Sequence, residues 1–370
     1  MKKILQDLNY AETEALILSL GEKKFRAKQL FEGLTQGKSI DGISSLPTAL
    51  KDRLKTEYEN TPVTVKEVFY SSDGTEKYLF ELADGNLVEG VLMKYKYGYT
   101  QCVSTQVGCR MGCKFCASTL NGLVRNLTAG EILSQILSVN ALHAGDEQLK
   151  NRGKDARAVT NVVLMGSGEP LDNYAETVRF LKNVTAPDGL NISARNISLS
   201  TCGIVPKMYE LAAEGIPINL TVSLHATNDE SRARTMPIAK AYKISEILKA
   251  CKHYFEKTGR RYYFEYTLID GENCDETHAM ALISLLKGLP CHVNLIRLNE
   301  VKERTLKATG EKAAYRFLGM LEKGGLSATL RRQIGSDIGG ACGQLRAGYL
   351  ESQNAQNKKN ENRTQNVKPQ

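Results

Sequence analysis

The stretch Val159-Thr160-Asn161-Val162-Val163-Leu164-Met165 runs directly into Gly166-Ser167-Gly168-Glu169-Pro170 and reads as an apolar strand followed by a glycine-rich loop. The same alternation recurs downstream. A helix from about 173 precedes strand 195–200, helix 206–214, strand 218–224 and helix 244–257. Strand 262–269, helix 276–287, strand 291–297, helix 311–323 and strand 326–332 follow. Upstream, Thr128 with Glu131 three residues on forms a capping box that opens another helix. Strand and helix alternate about six times, which predicts a parallel sheet, open or curled into a barrel. Functional side chains are then expected at the C-terminal ends of the strands.

Towards the N-terminus the period changes. Val63, Val65 and Val68, then Tyr78 to Leu82, then Leu87 to Met93 read as strands, with Asp73-Gly74 and Asp84-Gly85 as hairpin turns. A further strand runs into Cys102-Val103-Ser104-Thr105. Residues 1–60 show helical spacing over Thr13 to Leu20 and Lys24 to Leu34, and Pro47 opens a third helix. The expected division is a helical accessory domain over 1–60, a β-hairpin linker over 61–100, a core over 101–350 and a disordered polar tail over 351–370.

The 370 residues are 42% hydrophobic and 24% charged, as in an ordinary globular protein. No apolar run approaches the ~20 residues of a membrane helix, and the start lacks a signal-peptide stretch, so a cytoplasmic location is expected. The net charge of +8 suits a polyanionic partner without requiring one. Lys23-Lys24, Arg26, Lys28, Lys94 to Tyr97, Arg260-Arg261 and Arg331-Arg332 are candidate basic patches, and a solvated charged face is the alternative for each.

Nine cysteines in a chain without a secretory signal argue against a disulfide framework. Cys109-Arg110-Met111-Gly112-Cys113-Lys114-Phe115-Cys116 places three thiolates within eight residues. Its spacing differs from the paired Cys-x-x-Cys of zinc ribbons, and no histidine lies nearby to complete a tetrahedral site. Soft thiolates suit an iron–sulfur cluster or zinc completed by a distant cysteine. Three ligands on a four-iron cluster leave one iron open to a small molecule.

This cysteine pattern, with an aromatic before its last member, resembles the radical S-adenosylmethionine (SAM) superfamily. The stretch Cys102 to Cys109, the loop Gly166 to Leu171, Ser223-Leu224-His225-Ala226 and Ala341-Cys342-Gly343-Gln344-Leu345 together resemble the RlmN/Cfr family of RNA methyltransferases. The resemblance implies an α/β fold: a partial (β/α)6 radical SAM barrel with a small N-terminal helical domain, serving in RNA binding, and a β-hairpin extension. It implies one [4Fe-4S] cluster on Cys109, Cys113 and Cys116. It assigns SAM contacts to Gly168, Glu169, Ser200, Ser223, Leu224, His225 and Asn299. Cys342 would carry a methyl group as a thioether, Cys102 would resolve the protein–RNA adduct by forming a disulfide, and Glu89 would accept a proton. From residue type alone, His225 is an ordinary packed or surface histidine, Glu89 a polar residue alternating out of a strand, and Cys342 a structural cysteine.

The implied reaction is methylation of C2 of an adenosine in 23S rRNA and tRNA, with two SAM molecules per turnover and an external electron donor such as flavodoxin. A monomer without membrane contact is expected. Within the family, C8 methylation of the rRNA adenosine is the alternative, and Val107 before Gly108 favours the C2 branch. A non-catalytic iron–sulfur or zinc RNA-binding protein is the alternative of another class. The chain departs from the family pattern at Gly339-Gly340, where Asp-Ala is expected, and in lacking a proline near Asn299.

Overall fold

The structure is a computed structural model that describes residues 2–59, 61–96, 98–150 and 157–339. Strand β1 (Lys3–Ile4) is followed by helices α1 (Tyr10–Ser19), α2 (Phe25–Thr35) and α3 (Thr48–Glu57), and β2 (Tyr58–Glu59) pairs back on β1. The side chain of Asn9 and that of Glu12 cap α1 reciprocally. These helices close over their own apolar core, centred on Leu5, Ile17, Leu30, Leu50 and Leu54. They dock on the rest through Asp7, whose carboxylate accepts the Gly130 N–H at 2.6 Å.

The strands β3 (Val63–Tyr70), β4 (Glu76–Leu82), β5 (Leu87–Tyr95) and β6 (Gly98–Cys102) form an antiparallel meander. Gly74 and Gly85 turn its first two hairpins with φ of 84° and 80°, a conformation that favours glycine. A small ribbon of β7 (Gln106–Gly108) and β8 (Leu123–Asn126) follows. The chain then continues through α4 (Ala129–Leu142), α5 (Glu147–Lys150), β9 (Val159–Leu164), α6 (Tyr174–Thr185), β10 (Ile197–Thr201), α7 (Val205–Ala213) and β11 (Asn219–Ser223). It ends with α8 (Asp229–Thr235), α9 (Ile244–Thr258), β12 (Tyr262–Leu268), α10 (Glu276–Leu286), β13 (Cys291–Arg297), α11 (Glu311–Lys323) and β14 (Ala328–Leu330).

One ten-stranded sheet runs β14-β13-β12-β11-β10-β9-β6-β5-β4-β3. From β6 to β14 every neighbour is parallel, and each of the six strands before β14 is followed by a helix, which is the expected partial (β/α)6 barrel. The β3–β5 strands are hydrogen-bonded into this same sheet. Thr128 caps α4 as its sequence predicts, and Glu131 also takes a bidentate pair from Arg125 at 2.8 Å.

Side-chain alternation explains the layering. Leu164, Leu199, Val222, Phe264 and Leu295 are buried in the main core. Their sequence neighbours Val163, Ser200, Ser223, Glu265 and Ile296 point to the opposite, inner face. Among the described residues no helix is long and apolar enough to cross a membrane. The Ala341–Leu345 motif with Cys342, Tyr97 and the polar tail lie outside the described residues.

Candidate active site

Strand register decides which side chains share the inner face. Val91 pairs with Cys102, Cys102 with Val163, and Val163 with Ser198. Ser200 pairs with Thr221, Ser223 with Glu265, and Thr267 with Ile296. Directly opposed residues face the same way, as do residues two apart. Glu89, Cys102, Met165, Ser200, Ser223, Glu265 and Ile296 therefore lie on one continuous face. Its parallel half opens into a cavity of about 270 Å³.

Cys109, Cys113 and Cys116 all line this cavity. Their loop is fixed by its backbone. The Cys109 N–H donates to Gly122 O at 2.9 Å, and Lys114 N–H to Thr235 O at 2.9 Å. The Thr119 hydroxyl bonds the carbonyls of Cys113 and Cys116. Burial pushes the Cys109 thiol up to about 12 and raises that of Cys113. Among the described residues no three His, Cys, Asp or Glu side chains converge tightly enough for a single metal ion.

The Gly166–Pro170 loop forms the next wall. It lies against the strand end Ser104–Gln106: Thr105 and Gln106 N–H both donate to Ser167 O, and Ser167 N–H donates to the Ser104 hydroxyl. Gly168 has φ of 108° and its Cα faces Gln106 so closely that no Cβ fits. Gly168 and Glu169 line the cavity, but the Glu169 carboxylate is already engaged. It accepts the N–H of Cys202 at 2.7 Å and of Leu171 at 3.0 Å. Burial raises its pKa against those bonds. Its carboxylate thus joins β9 to β10, a role the sequence did not indicate.

Ser200, Ser223, His225 and Asn299 also reach the cavity wall, as expected from the four strand ends. Leu224 does not line it. Its side chain is in the main core, and its N–H donates to Glu265 O at 3.0 Å. His225 takes φ of 56°, and its Nδ1 accepts the Thr267 N–H at 3.0 Å. Burial, then Arg232, lowers its pKa to about 3. The ring is therefore neutral at physiological pH, and with Nδ1 accepting, Nε2 carries the proton. Phe115 of the cysteine loop packs edge-on against it at 4.8 Å.

Three features escaped sequence reasoning. Glu265 lines the cavity, buried, with Arg331 Nη1 at 2.9 Å. Burial raises its pKa while Arg331 opposes the rise. A charged residue in the middle of the alternating run Tyr263-Glu265-Thr267 was the available signal. Arg232 is fully buried and donates to the carbonyls of Leu224, Cys202 and Ser223. Cys202 is a fourth cysteine on the cavity wall, packed with Cys113 and Met236.

Glu89 and Cys102 lie beyond the cavity on the same face. Cys102 packs with Val91, Met93, Val163 and Met165, and the last of these does line the cavity. The Glu89 carboxylate is buried with the Lys77 ammonium at 3.1 Å.

Several basic patches have structural partners. Arg260 bonds Asn219 and Arg261 bonds Cys291 O, both near the N-terminal ends of strands and so away from the cavity. Lys94 pairs with Glu76, and Arg331 with Glu265. Lys24 and Lys28 are exposed and pair with Glu14 and Glu32.

Residues 103–283 match the Radical SAM superfamily. A protein of Alkaliphilus metalliredigens named "Probable dual-specificity RNA methyltransferase RlmN" is 50% identical over 351 residues, 94% of this chain and 96% of the relative. A protein of the same name from Alkaliphilus oremlandii is 49% identical over 95% of this chain and all of its own length. The chain belongs to the RlmN family of radical SAM RNA methyltransferases. A radical SAM methyltransferase from Sphaerobacter thermophilus shares the family's fold with this chain at a TM-score of 0.85 and 40% identity, covering 92% of this chain and 98% of that one.

Membership makes the protein a SAM-dependent enzyme acting on RNA, with a 4Fe-4S cluster and SAM as cofactors. The residues present fit both. Three soft thiol donors share one wall of the cavity on a backbone-stapled loop. The family's SAM residues, Leu224 excepted, line the remaining walls. A metal cluster at the three thiols would reverse the rise that burial imposes on them, because iron binds the thiolate form.

Proposed function

We propose that the enzyme methylates C2 of an adenosine in 23S rRNA, at the peptidyl-transferase centre, and in tRNA, just 3′ of the anticodon, through a methyl group carried on Cys342. The observation that carries this reading is the convergence of Cys109, Cys113, Cys116, Gly168, Ser200, Ser223, His225 and Asn299 on one cavity, with Glu89 and Cys102 on the same sheet face. The name borne by these relatives, a dual-specificity RNA methyltransferase, supports two RNA substrates.

A ring carbon flanked by two nitrogens is not a nucleophile, so direct transfer from SAM fails. With cluster and SAM bound, electron transfer into SAM supplies a 5′-deoxyadenosyl radical that can abstract hydrogen. The chain's residues do the rest. The Cys342 sulfur first takes a methyl group from one SAM by displacement, and a second SAM is consumed in activating that methyl. Once its carbon has joined the adenine, Glu89 or Cys102 removes the ring proton while the odd electron of the adduct returns to the redox centre that supplied one, which restores the aromatic ring. The Cys102 thiolate then attacks Cys342 Sγ, forming a disulfide as the carbon–sulfur bond breaks, and the carbon left on the base keeps that electron pair and takes up a proton to become the methyl group. Two electrons must reduce that disulfide before the next cycle. Neutral His225 offers Nε2–H as a fixed donor in the cavity, and Arg232 keeps the adjoining strand ends in place. The target base must leave its stack to reach these groups.

The enzyme is further proposed to act as a cytoplasmic monomer, reduced by a flavodoxin-like donor, with the helical domain contributing to RNA binding. Anaerobic reconstitution with iron, sulfide, SAM and RNA, followed by nucleoside mass spectrometry, tests this. It should yield 5′-deoxyadenosine and 2-methyladenosine. Recovery of 8-methyladenosine would place the chain in the other branch, and absence of both products would remove the reading.

A further inference from the structure

Lys77 has 0% of its surface exposed although it sits on β4, next to the edge strand β3 of the sheet. Burying an ammonium is costly, and replacing a buried ion pair by apolar residues is often neutral or stabilising. A lysine here therefore needs a reason beyond stability. Its partners supply one. Lys77 Nζ lies 3.1 Å from Glu89 Oε2 and also donates to the carbonyl of Gly339. Gly339 is three residues before Cys342.

The register makes the contact specific. Lys77 is directly opposite Val91, and Val91 is opposite Cys102. Glu89 is opposite Leu79, so Lys77 and Glu89 form the diagonal pair of this face, within reach of a long side chain. Two further straps join the same hairpin to the same segment. Asp73 accepts the Gly335 N–H at 2.9 Å. Asp337 accepts from the Ser71 hydroxyl and from the Ser72 N–H at 3.0 Å. Gly339 itself has φ of 58°, so it ends the turn at Ser336–Ile338 in a left-handed conformation and presents its carbonyl without strain.

We propose that Lys77 is a positioning residue for the proton-removal step: one ammonium fixes the Glu89 carboxylate and Gly339, at the end of the segment that leads to Cys342 in sequence, relative to each other. This rests on the reading of Glu89 as proton acceptor and Cys342 as methyl carrier. Cys102 stands in the Lys77 row, so the hairpin holds base and resolving thiol on one frame together with Gly339, three residues before the carrier in sequence. Lys77 takes no part in cluster or SAM binding, since neither it nor Gly339 lines the cavity. Its loss therefore affects the late steps and spares the early ones.

The test compares Lys77→Met, Lys77→Arg, Glu89→Gln and the Lys77→Met/Glu89→Gln double variant, each as the full chain reconstituted anaerobically with an RNA hairpin substrate. Four quantities are measured: iron content, methylation of Cys342 by intact-protein mass, RNA product, and covalent protein–RNA adduct on a denaturing gel. Lys77→Met should keep iron and Cys342 methylation within about twofold, lose product roughly 10- to 100-fold and accumulate adduct. Lys77→Arg should recover part of the product, and the double variant should be no worse than its weaker single. Should Lys77→Met not fold, Asp337→Ala, at an exposed strap, should show the same late defect in milder form. Native product formation by Lys77→Met, loss of iron or of Cys342 methylation together with product, or additive losses in the double variant would each overturn the proposal. Full product formation by Glu89→Gln alone would instead overturn the assignment of Glu89 on which it rests.

Discussion

The Arg232 guanidinium donates to the Cys202 carbonyl at 2.6 Å and so ties α8 to the end of β10, beside the cysteine loop. The same side chain holds the carbonyls of Leu224 and Ser223 at 3.1 and 3.0 Å. Replacement by methionine fills the space but leaves three buried acceptors without their donor. Each such loss costs about 1–3 kcal/mol, with strong overlap, so Arg232→Met should destabilise by about 2–5 kcal/mol. Urea unfolding of the iron-free protein measures this, and an unchanged midpoint would show that the stitch is dispensable.

Gly168→Ala attacks the opposite wall. The new Cβ would meet Gln106 Cβ at 2.6 Å and Gln106 N at 2.8 Å, in a backbone with φ of 108°. Backbone must shift, and the Glu169 anchor on Cys202 shifts with it. SAM affinity, measured by equilibrium dialysis on the reconstituted enzyme, should fall at least about tenfold, with a lower melting temperature.

Removal of iron should be felt as lost stability. A ligand bound only by the native state raises stability by mass action. Chelation of the reconstituted enzyme should therefore lower its melting temperature and abolish 5′-deoxyadenosine formation. Cys113→Ala should bind little iron and show no further shift on chelation. A chelator-sensitive melting temperature in that variant would place the metal elsewhere.

Acid and alkaline stability should turn on Glu76 and His143, which meet at 2.9 Å under the meander. Against its burial, hydrogen bonds from His143, Lys94 and Tyr78 bring Glu76 down to about 2. The hydrogen bond to Glu76 raises His143 above 6.5 despite burial. A lowered carboxylate stabilises fully above its unfolded value of 4.5 and loses that contribution as pH falls towards about 2. A raised histidine stabilises fully below 6.5 and loses its contribution as pH rises past its folded value. The pair should thus contribute most between pH 4.5 and 6.5. Glu76→Gln should flatten both flanks of the melting temperature profile, and an unaltered profile would mean the pair is inert.

Much of this molecule is written locally. The alternation from Val159 to Leu330 follows from apolar period and turn residues, and the helix caps at Thr128 and the hairpin glycines from side-chain chemistry within a few residues. The three thiolates are likewise close in sequence, so their common purpose is readable from spacing. What the sequence could not supply is the pairing of distant segments. Glu265 with Arg331, Arg232 with three strand-end carbonyls, and Lys77 with Gly339 join residues with no sequence signature for one another. Their partners are fixed by sheet register, in which a slip of one residue turns a side chain to the other face. The Glu169 carboxylate illustrates the difference: its motif is local, but only folding brings the Cys202 N–H to it and makes it a wall of the cavity.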